Sequence, residues 1–211
     1  MNRPRIFLAD DHRIILEAFH RLLEPKYEVV GTATDGREML TKVAKLKPDI
    51  VILDIAMPNL NGLDAARKLK KRYPDIHIIF LTSSEEPDLV AESLRIGANG
   101  YLLKNSDAAE LDRAIDVVLK TGTYVTPQVS DDRADDSPVR TAADLEPITL
   151  TVRQREVLQL LAEGKTMKEV AAILCITPRT VAFHKYRIMR KLNLGNNIEL
   201  IQYAIKKGLT R

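Results

Sequence analysis

Asp10 and Asp11 end one apolar run, Asp54 ends a second, Thr82 a third and Lys104 a fourth. Taken singly, such residues are helix caps, turn formers or solvated charges. Three carboxylates, a hydroxyl and an amine at the ends of separate apolar runs point instead to one shared crevice. Carboxylates crowded together repel, and the usual remedies are raised pKa values or a bound cation. Oxygen donors with no His or Cys at these positions favour a hard divalent ion such as Mg²⁺, which keeps several waters and bridges to phosphate. Lys104 adds a point charge for the remaining phosphoryl oxygens. In that setting Asp54 reads as a nucleophile that accepts a phosphoryl group, a covalent role open to Asp.

The elements that must position these residues are legible from periodicity. RIFLAD, YEVVGTA, DIVILD, HIIFLT and GYLLK are short runs rich in Ile, Val and Leu. Between them RIILEAFHRLLE and LDAARKLKKRY space their apolar residues three and four apart, the pattern of amphipathic helices. Alternating strands and helices imply a parallel sheet covered on both faces, and nearly continuous apolar strands agree. The carboxyl ends of such strands lie along one edge, so residues distant in sequence meet there. A last helix, ELDRAIDVVLKTG, is closed by Gly122.

A chain of 211 residues suits two small domains. No run approaches the roughly 18 apolar residues of a membrane helix, and the N-terminus is apolar too briefly for a signal peptide. A cytoplasmic location and no membrane partner are therefore expected. The single Cys175 excludes an internal disulfide and reads as a small core residue within AAILCI. Charge divides the chain. Residues 1–121 hold 18 Lys+Arg and 19 Asp+Glu, residues 122–148 hold 2 and 6, and residues 149–211 hold 12 and 4. The basic tail is where a polyanion would bind. Residues 123–148, poor in large apolar side chains, read as a flexible acidic linker between domains at 1–122 and 149–211.

Beyond the linker the pattern is wholly helical. Thr151 with Gln154 and Thr166 with Glu169 have capping-box spacing, and Gly164 stands where the first helix should stop. Thr177 reads as an N-cap and Pro178 as the first helical residue. Short helices joined by tight turns suggest a helix-turn-helix. Steps of 100° place Val181, Ile188 and Leu192 on one face of the helix from Pro178, with His184 beside them. Arg179, Phe183, Tyr186 and Arg190 fall opposite, a face suited to phosphates and base edges. Lys165 and Thr166 begin the preceding helix, where a phosphate could be gripped.

LADDH, LDIAMPNLNG, LTSS and GANGYLLK resemble the receiver domain of two-component response regulators. The resemblance implies a flavodoxin-like (βα)5 α/β fold and phosphorylation of Asp54 by a sensor histidine kinase. It implies Mg²⁺ held by Asp10, Asp11, Asp54 and the backbone carbonyl of Ala56, with Lys104 on the phosphoryl group. Thr82 would turn inward and Tyr101 follow as an aromatic switch. Asn105 stands where many receivers carry Pro, so a cis peptide after Lys104 is not assumed. Ala56 and Ser84, beside the path of an attacking water, cannot orient it well, and slow self-dephosphorylation is expected.

Residues 149–209 resemble the DNA-binding domain of NarL/FixJ regulators, within the LuxR helix-turn-helix class. The implied contacts to double-stranded DNA are Lys165, Thr166, Thr177, Arg179, Thr180, Ala182, Phe183, Tyr186, Arg187 and Arg190. Ala182 and Phe183 depart from the polar or basic residues common there and suggest contact with thymine methyl groups. Ile198, Ile201 and Ile205 stripe the last helix, for which the resemblance suggests homodimerisation on paired half-sites. The expected protein is a transcriptional response regulator, not an enzyme. One alternative is a DNA-binding protein with a phosphorylation-independent receiver. The other is an aspartyl-phosphate phosphotransfer enzyme, which would place a second acid where Ala56 stands.

Overall fold

The computed structural model describes residues 3–120, 122–127 and 150–210. The chain divides into two compact units between Asp132 and Arg133. That division, with the part of the expected linker at 128–148, lies outside the described residues.

The first unit runs β1 (Arg5–Ala9), α1 (Arg13–Leu23), β2 (Glu28–Ala33), α2 (Gly36–Leu46), β3 (Ile50–Leu53) and α3 (Gly62–Arg72). It continues through β4 (His77–Thr82), α4 (Pro87–Ile96), β5 (Gly100–Leu103), α5 (Ala108–Lys120) and β6 (Tyr124–Val125). Every strand pairing is parallel, in the order β2-β1-β3-β4-β5-β6. Side chains alternate across a strand, so each strand serves two cores. Phe7, Val51, Phe80 and Tyr101 pack with Met39, Leu63, Leu69 and Val90 of α2, α3 and α4. Ile6, Ile52, Ile79 and Leu102 pack with Leu16, Leu23, Leu111 and Ile115 of α1 and α5.

The chain leaves β1 toward β2 on one side and returns to β3 on the other. In a doubly wound sheet that reversal opens a crevice beyond the strand ends. Asp10 and Asp54 stand at this switch point.

Two expectations are corrected. Residues 123–127, assigned to the linker, are part of the first unit. Tyr124 and Val125 pair with Gly100 and Tyr101, Thr126 N donates to Tyr101 O at 3.0 Å, and Thr126 is fully buried. A two-residue strand is too short for period-2 alternation to reveal it. The sheet accordingly has six strands, not five. Cys175 is exposed, not a core residue. The preceding helix stops at Leu174, and Cys175 takes the left-handed cap with φ 52°, which turns its side chain out.

The second unit comprises α6 (Val152–Ala162), α7 (Met167–Leu174), α8 (Pro178–Leu192) and α9 (Asn197–Lys206). Its core gathers Val157, Leu160, Val170, Leu174, Val181, Ile188, Leu200 and Ala204. Both capping boxes form, and the Thr177 hydroxyl caps α8 by accepting from Thr180 N. Such caps each contribute about 1 kcal/mol, which matters in a domain with so small a core.

Candidate functional site

Parallel register builds the crevice. Ala9 lies opposite Leu53, so the residues after them, Asp10 and Asp54, emerge side by side, and Asp54 N donates to Ala9 O at 2.8 Å. Asp10 is 3% and Asp54 2% exposed. Across β4, Lys104 N donates to Thr82 O at 2.8 Å, which aims the Lys104 side chain back over the same edge. Its ammonium lies 2.5 Å from Asp10 Oδ2 and 2.9 Å from Asp54 Oδ2. One half-buried cation thus clamps two buried carboxylates, an arrangement that offsets the cost of desolvating each.

Asp11 is half-buried, and it is tied in by a residue for which the sequence suggested no role. His12 Nδ1 sits 3.1 Å from Asp10 Oδ1 and 3.0 Å from Asp11 Oδ1, while His12 N donates to Asp10 Oδ1 at 2.9 Å. Its place directly after the paired acids was the available signal. Donor atoms of Asp10, Asp11 and His12 lie within 4.8 Å of one another. Three carboxylates against one ammonium leave two formal negative charges, which suits a divalent cation.

The loop after Asp54 folds back over the crevice. Gly62 N donates to Ile55 O at 2.7 Å, and a Cβ on Gly62 would stand 2.0 Å from Asp54 O. Only glycine permits that approach. Buried Asn61 caps α3 by accepting from Asp64 N at 2.9 Å. The Asn-Gly pair therefore starts a helix and seats the backbone of Asp54. Ala56 lies half-buried in this loop.

Thr82 and Tyr101 are linked through Ser84. Ser84 N donates to Thr82 Oγ1 at 3.2 Å, and the Tyr101 hydroxyl donates to Ser84 O at 2.7 Å. Both side chains point inward, with Thr82 4% and Tyr101 0% exposed. Burial raises the Tyr101 phenol pKa, with the negative charge of Glu86 adding to it. No peptide bond among the described residues is cis, the one after Lys104 included.

In the second unit α8 presents two faces, as its periodicity predicts. Val181 and Ile188 are fully buried, and Leu192 packs against the same core. His184 is half-buried, and burial lowers its pKa, helped by the charges of Arg153 and Arg187. Opposite, Arg179, Arg187 and Arg190 are exposed, with Phe183 54% and Tyr186 65% exposed between them. Arg153 is committed to Glu156 and Leu174 O, and Arg155 to Leu150 O. Among the described residues nothing accepts a hydrogen bond from the guanidinium of Arg179, Arg187 or Arg190.

Phe183, Tyr186, Arg187 and Arg190 line one hollow with Thr151 and Gln154. Lys165 and Thr166 do not join them; they line a second hollow with Lys185, Leu200 and Ile201. The Thr166 hydroxyl is engaged with Glu169 at 2.7 Å, and those of Thr177 and Thr180 with each other at 2.9 Å. Ala182 is half-buried at the edge of the outer face.

Residues 6–116 match the response regulator receiver domain, and residues 148–204 match bacterial regulatory proteins of the luxR family. The chain belongs to the response regulators that join these two domains. DegU of Brevibacillus brevis, a transcriptional regulatory protein, is 34% identical over 98% of this chain and 95% of its own. NreC of Staphylococcus carnosus, an oxygen regulatory protein, is 36% identical over 97% and 98%. RcsB of Salmonella typhimurium has a TM-score of 0.67 at 27% identity over the whole of both chains. An RcsB–DNA complex has a TM-score of 0.60 at 27% identity, covering 96% of this chain and 98% of that one. This response regulator is a two-domain DNA-binding transcription regulator, not an enzyme. No helix among its described residues is long and apolar enough to cross a membrane.

Proposed function

We propose that this response regulator is switched by a sensor histidine kinase through phosphorylation of Asp54, and that the switch governs its binding to DNA. The observation that carries the reading is Lys104 Nζ between Asp10 and Asp54 at the sheet edge. An Asp54 carboxylate oxygen attacks phosphorus, the P–N bond to the donor histidine breaks, and the departing imidazole takes up a proton. Lys104 then exchanges its bond to Asp54 for one to a phosphoryl oxygen. Asp10, Asp11, Asp54 and the carbonyl of Ala56 are the ligands for Mg²⁺. The bound ion supplies neutralisation of the phosphoryl charge.

Thr82 Oγ1, drawn toward the phosphoryl group, gives up the bond it accepts from Ser84 N. Because Ser84 O also holds the Tyr101 hydroxyl, the change passes to β5 and the surface beside it. The receiver extends at least to Pro127, the acidic linker follows, and the DNA-binding domain occupies residues 149–211. Uncommitted Arg179, Arg187 and Arg190 with exposed Phe183 and Tyr186 make α8 the helix for the major groove. Lys165, Thr166, Thr177 and Thr180 lie toward the phosphate backbone. On α9, Ile198 and Ile205 are 68% and 48% exposed, while Leu200 and Ala204 fill the core. This apolar stripe pairs two copies on DNA, as dimers of RcsB are found on DNA. The cytoplasm is the compartment where kinase and DNA are both accessible.

Treatment with a small-molecule phosphodonor and Mg²⁺, followed by intact mass and DNA-binding measurements, tests the reading. A single phosphoryl adduct, absent in Asp54→Asn, should accompany a gain in sequence-selective binding. DNA binding without any adduct would leave a phosphorylation-independent regulator.

A further inference from the structure

Within the outer face of α8, two residues are already paired. Arg187 Cζ stands 5.0 Å from the centroid of the Phe183 ring, one helical turn away in sequence, where residues i and i+4 are neighbours. The His184 ring meets the other partner edge-on, its centroid 5.9 Å from that of Phe183. An exposed phenyl ring flanked in this way is held, although more than half its surface is open. The guanidinium is held too, by attraction to the ring face. Nevertheless all five of its N–H donors lack hydrogen-bond partners among the described residues. Hydrogen-bonding capacity and apolar contact are thus set side by side, ordered before any partner arrives.

We infer that Phe183 and Arg187 act as one reading unit for a base-pair step that joins a T·A pair to a G·C pair. The inference rests on the assignment of α8 to the major groove and adds to it what the helix reads. In that groove a thymine C5-methyl is the apolar feature that a phenyl edge can contact, and guanine O6 with N7 is the acceptor pair that a guanidinium fork fits. Successive bases rise about 3.4 Å along each strand, and the 5.0 Å between the ring centroid and the guanidinium carbon is enough to bridge one such step. Contact with the methyl fixes the ring, the ring fixes the guanidinium, and the fork meets the neighbouring pair. Tyr186 and Arg190 share the hollow, but neither has a partner of this kind among the described residues.

The test uses the full-length protein, phosphodonor-treated, against a library of randomised duplexes. The bound pool should be enriched in a step with adjacent T and G. Replacing that thymine by deoxyuridine, which removes only the methyl group, should weaken wild-type binding by about tenfold. Phe183→Ala should abolish the deoxyuridine penalty and also relax discrimination at the adjacent G·C pair. Arg187→Lys should relax the G·C position by about fivefold or more while keeping the thymine preference. Because Phe183 is exposed, Phe183→Ala should fold; the deoxyuridine measurement needs no variant. If deoxyuridine binds as well as thymine, or if Phe183→Ala leaves the G·C preference intact, the reading unit is refuted. In both cases sequence-selective binding would leave the DNA-binding assignment standing. Absence of any DNA binding by wild-type protein would overturn that assignment as well.

Discussion

Lys104 is committed in two directions, and that commitment defines the resting state of the crevice. Its ammonium holds Asp10 and Asp54 together, so the phosphoryl group proposed for Asp54 would displace an ion pair. How long the phosphoryl group stays depends on neighbours that do no chemistry. On the proposed phosphorylation, Ala56 and Ser84 would border the path of an attacking water, and neither carries a carboxylate or amide to fix a water for in-line attack. Ala56→Asn should therefore shorten the lifetime of the phospho-protein by about tenfold or more, as followed by intact mass after removal of the phosphodonor. An unchanged lifetime would show that water access is controlled elsewhere.

At the scale of elements, the loop joining β3 to α3 is tightly constrained. Gly62→Ala would drive a methyl group to 2.0 Å from Asp54 O. The loop must then move, at a cost of about 1–3 kcal/mol, and phosphorylation should slow; denaturant unfolding and intact mass read the two effects. A second constraint ties the turn after α1 to α5. Burial, with the charges of Asp112 and Asp116, pushes the Tyr27 phenol up to about 12, against about 10 in the unfolded chain. Between these values the folded state holds a proton that the unfolded state has lost, so stability falls as pH rises from about 10 to about 12. Tyr27→Phe should flatten that loss in alkaline unfolding curves. Both constraints were hidden in the sequence, although the elements around them were not. Nearly continuous apolar runs disclosed strands with two buried faces, and Asp10, Asp54 and Lys104 disclosed the crevice because parallel strands must end on one edge. Periodicity likewise separated Val181 and Ile188 from Phe183 and Tyr186. Tyr124–Val125 escaped because two residues carry no period. His12, the link that Ser84 makes between Thr82 and Tyr101, and the pairing of Arg187 with Phe183 escaped because such contacts are facts of three dimensions.

For the whole molecule the question is how a charge added at Asp54 is felt by DNA. A phosphoryl group adds between one and two negative charges at neutral pH, and salt screens surface charges beyond roughly 8 Å at physiological strength. One added phosphoryl group is a small change beside the basic tail's 12 Lys+Arg and 4 Asp+Glu, and so a weak way to regulate it by charge alone. Changing how many tails engage one operator is a strong way. Each phosphate neutralised releases counterions and adds about −0.9 to the slope of log K against log salt. Two tails joined through the Ile198 and Ile205 stripe should release twice as many as one. Phosphorylation should accordingly about double the slope measured on an operator with two half-sites, and leave it unchanged on a single half-site. Arg179→Ala, by removing one uncommitted cation from each tail, should lower the slope by about 1 per protomer without altering which sequence is preferred. A slope that stays constant while affinity rises would mean that phosphorylation uncovers a surface that was masked in each protomer.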